Sequence, residues 1–247
     1  MLQKLRFHLR QRRYIVRSLA IVVFKLWPEN AAAGSAAIFI RAGLAEVDQL
    51  HEYQLQAERL GVFVAHFHIP MGLGANHLRD FRSLTRVVEQ LSKEYDRIYV
   101  FGYSIGGKFA ARMARDLNRV DAAFLLDPTD GGPPIFPRSW PQFPVFMGPR
   151  RGMVLKPTWI LESEFGAAPI YKNIGCVNKG LGSEHFAKSI GESFLHYRFI
   201  PGAGHLQLIL PPKPGTPKGL CAPGTLPDAD IRALGVSFWV EFLQASP

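Results

Sequence analysis

A glycine-rich segment from Arg97 to Ala114, RIYVFGYSIGGKFAARMA, contains a serine whose surroundings suit nucleophilic chemistry. Ser104 stands between Gly102 and Gly106 in a G-x-S-x-G pattern, with a strand-like run before it and a helix-like run after it. Such a nucleophile elbow needs small residues two positions to either side, because the serine occupies a strained turn between strand and helix. The pattern therefore predicts that Ser104 is a nucleophile.

The same segment nearly fits a phosphate-binding loop, G-x-x-x-x-G-K, in which the next residue should be Ser or Thr to bind magnesium. Phe109 occupies that position and cannot bind a metal ion, while Tyr103 and Ile105 are bulky where the loop must stay open. We therefore favour a serine nucleophile over a nucleotide site. A glycine-rich turn with an incidental serine is the alternative without chemistry.

A serine hydroxyl becomes nucleophilic only when a base takes its proton, and after such an elbow the acid and then the histidine follow along the chain. We predict His205 as the base, because it lies in the glycine-rich segment IPGAGHLQLI directly after a strand, where we expect a mobile, exposed imidazole. We expect His185 at the surface of a helix and His196 in a structural position within a strand.

The predicted acid is Asp127, which ends the strand-like run AAFLL and is followed by proline. A short side chain fixed at a strand end is a rigid acceptor for the imidazole Nδ1–H. Asp130 remains an alternative, as do Glu162 and Glu164 at the end of the next strand, where many hydrolases with this elbow place the acid.

An oxyanion formed by attack of the serine needs two backbone N–H donors. One donor is expected from Ile105, directly after the nucleophile, and the other from the loop that follows the strand-like run AAIFI. Leu44 is our candidate in that loop.

Strand-like and helix-like runs alternate along the chain and must position these residues. Strands are predicted at 19–26, 36–40, 62–67, 97–101, 122–126, 158–162 and 196–200, and helices at 47–60, 81–95, 108–118, 184–195 and 228–244. Such alternation predicts the α/β class, with a mostly parallel sheet and helices on both faces. Ligands bind at the carboxyl ends of such strands, which is where Ser104, Asp127 and His205 fall.

A proline-rich segment interrupts the alternation. Residues 128–157 contain eight prolines together with Phe136, Trp140, Phe143 and Phe146. The aromatic residues favour a packed lid over disorder, and a long loop inside a compact domain is usually functional. We expect a basic N-terminal extension at 1–17 and a single domain at 18–247 that carries this loop.

The charge distribution argues against a nucleic-acid groove. The net charge is +9, but residues 1–28 hold seven basic residues and no acidic one, which leaves only +2 for the rest of the chain. This basic segment, mixed with apolar residues, suits a targeting remnant, a peripheral contact with a membrane surface, or a solvated arm. Two cysteines permit one disulfide at most, and no cluster has metal-ligand spacing, so a metal site is not expected. The serine mechanism needs no organic cofactor either.

Five segments, taken in order, resemble the chlorophyllase family: FGYSIGGKFAARMA, FLLDPTDGGPP, PTWILESEFGAAP, VNKGLGSEHFAKS and YRFIPGAGHLQLIL with the later GLCAPG. That family has a G-H-S-R-G-G elbow, a following D-P-V-D-G and a late Gly-His, and the resemblance spans roughly residues 19–245. The sequence differs from the family pattern at Tyr103, Ile105, 41–43 and 183–185.

The resemblance implies an α/β-hydrolase fold and a catalytic triad of Ser104, Asp127 and His205. It also implies hydrolysis of the phytyl ester of chlorophyll to chlorophyllide and phytol through an acyl-enzyme, and a plastid location, with the cytoplasm as the alternative; contact with a membrane surface is expected only from the basic residues 1–17. A general esterase or lipase acting on other apolar esters, and a non-catalytic ligand-binding relative, are the two alternatives in function.

Overall fold

The computed structural model describes residues 34–42, 47–69, 77–130, 152–166, 176–177, 180–209 and 221–246. Several sequence-based predictions concern residues outside these ranges. They are the basic extension at 1–17, the strand at 19–26, the oxyanion donor Leu44 and residues 131–151 of the proline-rich loop.

The described strands form one sheet in which every neighbouring pair is parallel. Its order is β2-β1-β3-β4-β5-β6. The strands are β1 (Ser35–Ala42), β2 (Phe63–Ile69), β3 (Arg97–Tyr103), β4 (Ala122–Leu126), β5 (Thr158–Ser163) and β6 (Leu195–Ile200). The predicted α/β class and the parallel sheet are confirmed. Because β3 and β4 are central neighbours, the residues that follow them lie side by side at the carboxyl edge.

Helices cover both faces of the sheet, as the alternation predicted. They are α1 (His51–Arg59), α2 (His77–Leu91), α3 (Ile105–Asp116), α4 (Ser183–Ala187) and α5 (Asp228–Ala245). Residues of α2, α3 and α4 pack in one buried cluster, and residues of α1 and α5 pack in another. No helix in the described ranges has the length and apolar character needed to cross a membrane.

An aromatic stack beneath the middle of the sheet fixes the neighbouring strands against α5. Phe39 stacks on Phe101 with ring centroids 4.4 Å apart, and Phe101 stacks on Phe124 at 5.3 Å. The indole of Trp239 meets all three rings edge-on, at 5.2 to 5.6 Å. Aromatic pairs in such arrangements stabilise beyond their buried area, so the strands that carry the site have a rigid base.

The predicted helix at 184–195 is wrong in its second half. Helix α4 ends at Ala187, and a short 3-10 turn covers Glu192–Phe194. Between them the chain pairs with a distant segment: the Val154 N–H donates to the Ser189 carbonyl, and the Gly191 N–H donates to the Val154 carbonyl, both at 2.9 Å. These long-range hydrogen bonds divert the backbone from the helical path that the apolar periodicity favoured.

Candidate active site

Ser104 occupies a strained turn between β3 and α3. Its φ is 55° and its ψ is −125°, a backbone conformation that residues other than glycine rarely adopt. Neighbouring backbone holds it there: the Ser104 N–H donates to the Leu126 carbonyl at 3.0 Å, and the Ser104 carbonyl accepts from Gly107 at 2.9 Å and Thr129 at 3.1 Å. Strain persists where the surroundings determine the conformation in this way, and it is concentrated at functional sites.

The glycines around Ser104 are required by close approach of backbone. A Cβ on Gly102 would lie 2.5 Å from the carbonyl oxygen of Gly106, and a Cβ on Gly107 would lie 2.5 Å from Cβ of Pro128. A Cβ on Gly106 would collide with the carbonyl oxygen of Ile40 on β1. The strand–turn–helix context that the G-x-S-x-G pattern predicted is therefore present, with each glycine at a point of contact.

Asp127 and His205 form a short, buried hydrogen bond at the same edge of the sheet. The imidazole Nδ1 lies 2.6 Å from Oδ2 of Asp127, and the two residues are 3% and 1% exposed. Asp127 directly follows β4, the neighbour of the strand that ends before Ser104, and His205 follows the turn after β6. A carboxylate on Nδ1 leaves Nε2 of a neutral imidazole as the basic nitrogen.

The expectation of an exposed His205 is wrong. The imidazole stacks on the ring of Tyr103 with centroids 4.8 Å apart, and the Tyr103 hydroxyl donates to the His205 carbonyl at 3.1 Å. Burial, and after it the charge of Asp127, raise the pKa of Tyr103 well above its usual value, so the phenol keeps its proton and donates. Since Tyr103 immediately precedes Ser104, this contact holds the imidazole beside the elbow.

Ser163 at the end of β5 is a site residue that the sequence reasoning missed. Its hydroxyl donates to Asp127 Oδ2 at 2.5 Å, and its backbone N–H donates to Oδ1 at 3.1 Å. The backbone of Asp127 is fixed as well, with φ of 45° and an N–H that donates to the Leu161 carbonyl at 2.7 Å. No residue near Ser163 in the sequence signals this contact, because it arises only when β4 and β5 pair as parallel neighbours whose ends meet.

The alternative acids have other partners. Asp130 is fully buried and accepts from Nε2 of His185 at 3.1 Å, so His185 is not the simple surface residue expected from its helix. The Glu164 carboxylate accepts from the Gly202 N–H at 2.7 Å and so braces the turn that leads to His205. Burial, the charge of Asp127 and the charge of Glu184 raise the pKa of Glu162 to about 7.

Ile105 is the first residue of α3, so its N–H is among those that have no acceptor within the helix. It therefore stands next to the half-buried Ser104 as a donor at the positive end of a helix dipole. The second predicted donor, Leu44, lies outside the described residues. Among the residues that the structure describes, no group of three or more His, Cys, Asp or Glu side chains has an arrangement that could hold a metal ion.

A disulfide joins Cys176 to Cys221, with Cα atoms 5.1 Å apart. Cys221 begins a segment, 221–228, that supports the turn before His205. In it the Thr225 N–H donates to the Gly202 carbonyl at 2.8 Å. The side chain of Gln207 accepts from the Gly204 N–H and donates to the Leu226 carbonyl, both at 2.8 Å. The disulfide thus anchors the segment that braces the histidine.

Solved structures with a similar fold include esterases. A ferulic acid esterase from Streptomyces cinnamoneus is 19% identical, with a TM-score of 0.60, over 87% of this chain and 68% of that one. Est1E from Butyrivibrio proteoclasticus is 16% identical, with a TM-score of 0.57, over 88% and 90%. A Pyrococcus furiosus esterase, Pf2001, is 12% identical, with a TM-score of 0.56, over 87% and 83%.

The parallel sheet, the strained serine turn and these likenesses define the α/β-hydrolase fold for this chain. No family model matches the sequence. No curated protein matches it either. At these identities the neighbours establish the fold alone, so the reaction must be inferred from the site.

Proposed function

We propose that this protein is a serine carboxylic ester hydrolase in which Ser104, His205 and Asp127 form the catalytic triad. One observation carries the proposal. A buried Asp127–His205 hydrogen bond of 2.6 Å lies at the sheet edge where the strained turn presents Ser104, and the imidazole packs on the residue next to that serine. A Gly-rich turn with an incidental serine would have no need of a hydrogen-bonded carboxylate and imidazole at the same sheet edge.

In the proposed reaction His205 Nε2 takes the hydroxyl proton of Ser104, whose Oγ attacks the ester carbonyl carbon. The N–H of Ile105, together with a second donor that we assign to Leu44, stabilises the oxyanion. Asp127 holds Nδ1–H and stabilises the imidazolium without itself taking the proton. His205 then protonates the leaving alcohol, and water, activated by the same imidazole, releases the acid and regenerates the serine.

The substrate that we propose is the phytyl ester of chlorophyll. The support comes from the motifs that resemble chlorophyllases, above all the D-P-x-D-G stretch that begins at Asp127 and the later Leu-Gly and His-Phe block at 181–186. The aromatic residues of the proline-rich loop would suit a long apolar alcohol. A general esterase for other apolar esters is the second candidate. The esterases with similar folds favour it, and so do Tyr103 and Ile105, which differ from the elbow of the chlorophyllase family.

A fluorophosphonate probe and two substrates test these proposals. An activated serine takes up the probe, so the wild type should label and Ser104→Ala should not. The variant should lose at least about 10³-fold in turnover with an unchanged circular dichroism spectrum, because alanine keeps the same Cβ at φ 55°. Absence of labelling in the wild type would favour the non-catalytic alternative and overturn the mechanism.

Substrate class is decided by comparing purified chlorophyll with short p-nitrophenyl esters. Formation of phytol and a more polar green product supports the chlorophyllase-like activity. Rapid turnover of the short esters without any dephytylation would instead support the general esterase.

A further inference from the structure

The geometry points to Ser163 as a positioning residue that fixes the carboxylate of Asp127 for its hydrogen bond to His205. This inference deepens the proposed function and rests on it. Ser163 does not contact the reacting atoms in this proposal. It acts through Asp127, and its contribution is the orientation of the carboxylate and, through it, of the imidazole.

Both oxygens of the Asp127 carboxylate are held by Ser163. Oδ1 accepts from the Ser163 backbone N–H at 3.1 Å, and Oδ2 accepts from the Ser163 hydroxyl at 2.5 Å. Oδ2 also accepts from His205 Nδ1 at 2.6 Å. An ionised carboxylate has no proton to give, so the hydroxyl must donate. Two contacts from one residue therefore prevent the carboxylate from turning about its Cβ–Cγ bond.

The turn after β5 is shaped around this contact. A Cβ on Gly166 would lie 2.5 Å from Asp127 Oδ2 and 2.7 Å from the Ser163 hydroxyl oxygen. Any larger residue at 166 would displace one of the two groups. The Gly166 N–H donates to the Ser163 carbonyl at 3.3 Å, which closes the turn over the pair. Glycine at 166 thus leaves the space that the Ser163–Asp127 hydrogen bond occupies.

The need for such support follows from the burial of the pair. Asp127 is 1% exposed and Ser163 is 3% exposed, so water does not replace a lost donor easily. A buried charged acceptor that loses a donor is strongly destabilised, and it will rotate toward whatever donor remains. Without the Ser163 hydroxyl, rotation of Asp127 would misalign Nδ1–H and so turn Nε2 away from Ser104. The chemical step should suffer, whereas ester binding should not.

The test compares Ser163→Ala with a matched control, Ser189→Ala. Ser189 is also fully buried, and its hydroxyl donates to the His185 carbonyl at 3.1 Å, away from Asp127. Ester turnover by Ser163→Ala should fall about 10- to 100-fold in kcat, as expected for loss of a hydrogen bond to a charged group, with KM nearly unchanged. Ser189→Ala should keep its kcat, although it also loses the hydrogen bond of a buried hydroxyl. Ser163→Thr, which keeps a hydroxyl, should recover most of the lost kcat.

A measurement independent of turnover uses the proton on Nδ1. In the wild type this proton should give a low-field proton NMR resonance, because it lies in a short hydrogen bond to a carboxylate. The resonance should shift or broaden in Ser163→Ala and stay in place in Ser189→Ala. An unmoved resonance together with wild-type kcat in Ser163→Ala would overturn the positioning role.

Failure of the inference is distinguishable from failure of the proposed function. If the wild type hydrolyses ester and labels with fluorophosphonate but Ser163→Ala matches it in kcat, only the role of Ser163 is refuted. If the wild type neither hydrolyses nor labels, the hydrolase proposal falls and the inference falls with it.

Discussion

Reduction of the Cys176–Cys221 disulfide should destabilise the protein and release the support of His205. The two cysteines are 45 residues apart in sequence. Cross-linking a loop of that length removes conformational entropy from the unfolded chain worth about 4 kcal/mol at 25 °C in the chain-entropy treatment. A domain typically has only about 5–15 kcal/mol of stability in total. The disulfide should therefore account for a large part of the stability of this fold.

The assay is urea unfolding, followed by tryptophan fluorescence, with and without reductant. A loss of 4 kcal/mol moves the midpoint down by about 1.5 M urea for a protein whose m-value is near 2.5 kcal/mol per molar. Cys176→Ser provides the control: it should unfold at the low midpoint and show no response to reductant. Ester turnover, measured well below the midpoint, should also fall on reduction, because residues 221–228 brace the turn that leads to His205.

The same urea midpoint with and without reductant would refute the reasoning. It would mean that the unfolded chain gains no freedom when the bond opens, or that no bond forms in solution. A lower midpoint with unchanged turnover would refute only the second step, which links the disulfide to the position of the histidine.

Three further predictions concern the site. In Gly106→Ala the new Cβ collides with the Ile40 carbonyl, so the free energy of unfolding should fall by about 1–3 kcal/mol. Fluorophosphonate labelling of this variant should slow sharply, and labelling at the wild-type rate would contradict the prediction. Tyr103→Phe keeps the stacked ring but removes the donor to the His205 carbonyl. Thermal unfolding should therefore show a free energy of unfolding lower by about 1 kcal/mol. An unchanged melting temperature would argue against that hydrogen bond. The pKa of Glu162 is raised from 4.5 to about 7 in the folded protein, so folding takes up a proton between these values and stability should decrease as pH rises from 4.5 to 7. Glu162→Gln should remove that part of the pH dependence, and identical stability–pH curves for the two proteins would exclude it.

Most of the described helices and strands could be predicted because the residues that determine them are adjacent in the sequence. The run at 122–126 is fully apolar and bounded by polar residues, and β4 has those bounds. The elbow could be predicted from its glycines, since a missing Cβ is a property of the residue itself. The predicted helix at 228–244 matches α5 almost residue for residue, because its apolar positions recur at helical spacing.

Features that depend on contacts between distant segments could not be predicted in the same way. The burial of His205 arises from Tyr103, which lies 102 positions earlier in the chain. The contact of Ser163 with Asp127 arises from the pairing of β4 with β5, and the early end of α4 arises from its neighbour Val154. Nothing in the residues adjacent to His205, Ser163 or Ala187 indicates these partners, so only the assembled sheet shows them.

The two aspartates of the D-P-T-D stretch have different partners, and this difference supports Asp127 over Asp130 as the proposed acid. Lys108 on α3 is fully buried, and burial lowers its pKa to about 8, while the charge of Asp130 acts in the opposite direction. Asp130 also accepts a hydrogen bond from Nε2 of His185. His185 lies on α4, a helix that packs in the same buried cluster as α2 and α3. The negative charge of Asp130 therefore balances a buried cation.

Asp127 accepts instead from Ser163 and His205, beside the aromatic cluster to which Tyr103 belongs. Asp130 contacts His185 and compensates the buried lysine, whereas Asp127 accepts from His205, whose ring stacks on Tyr103 next to Ser104, as the proposed acid role requires.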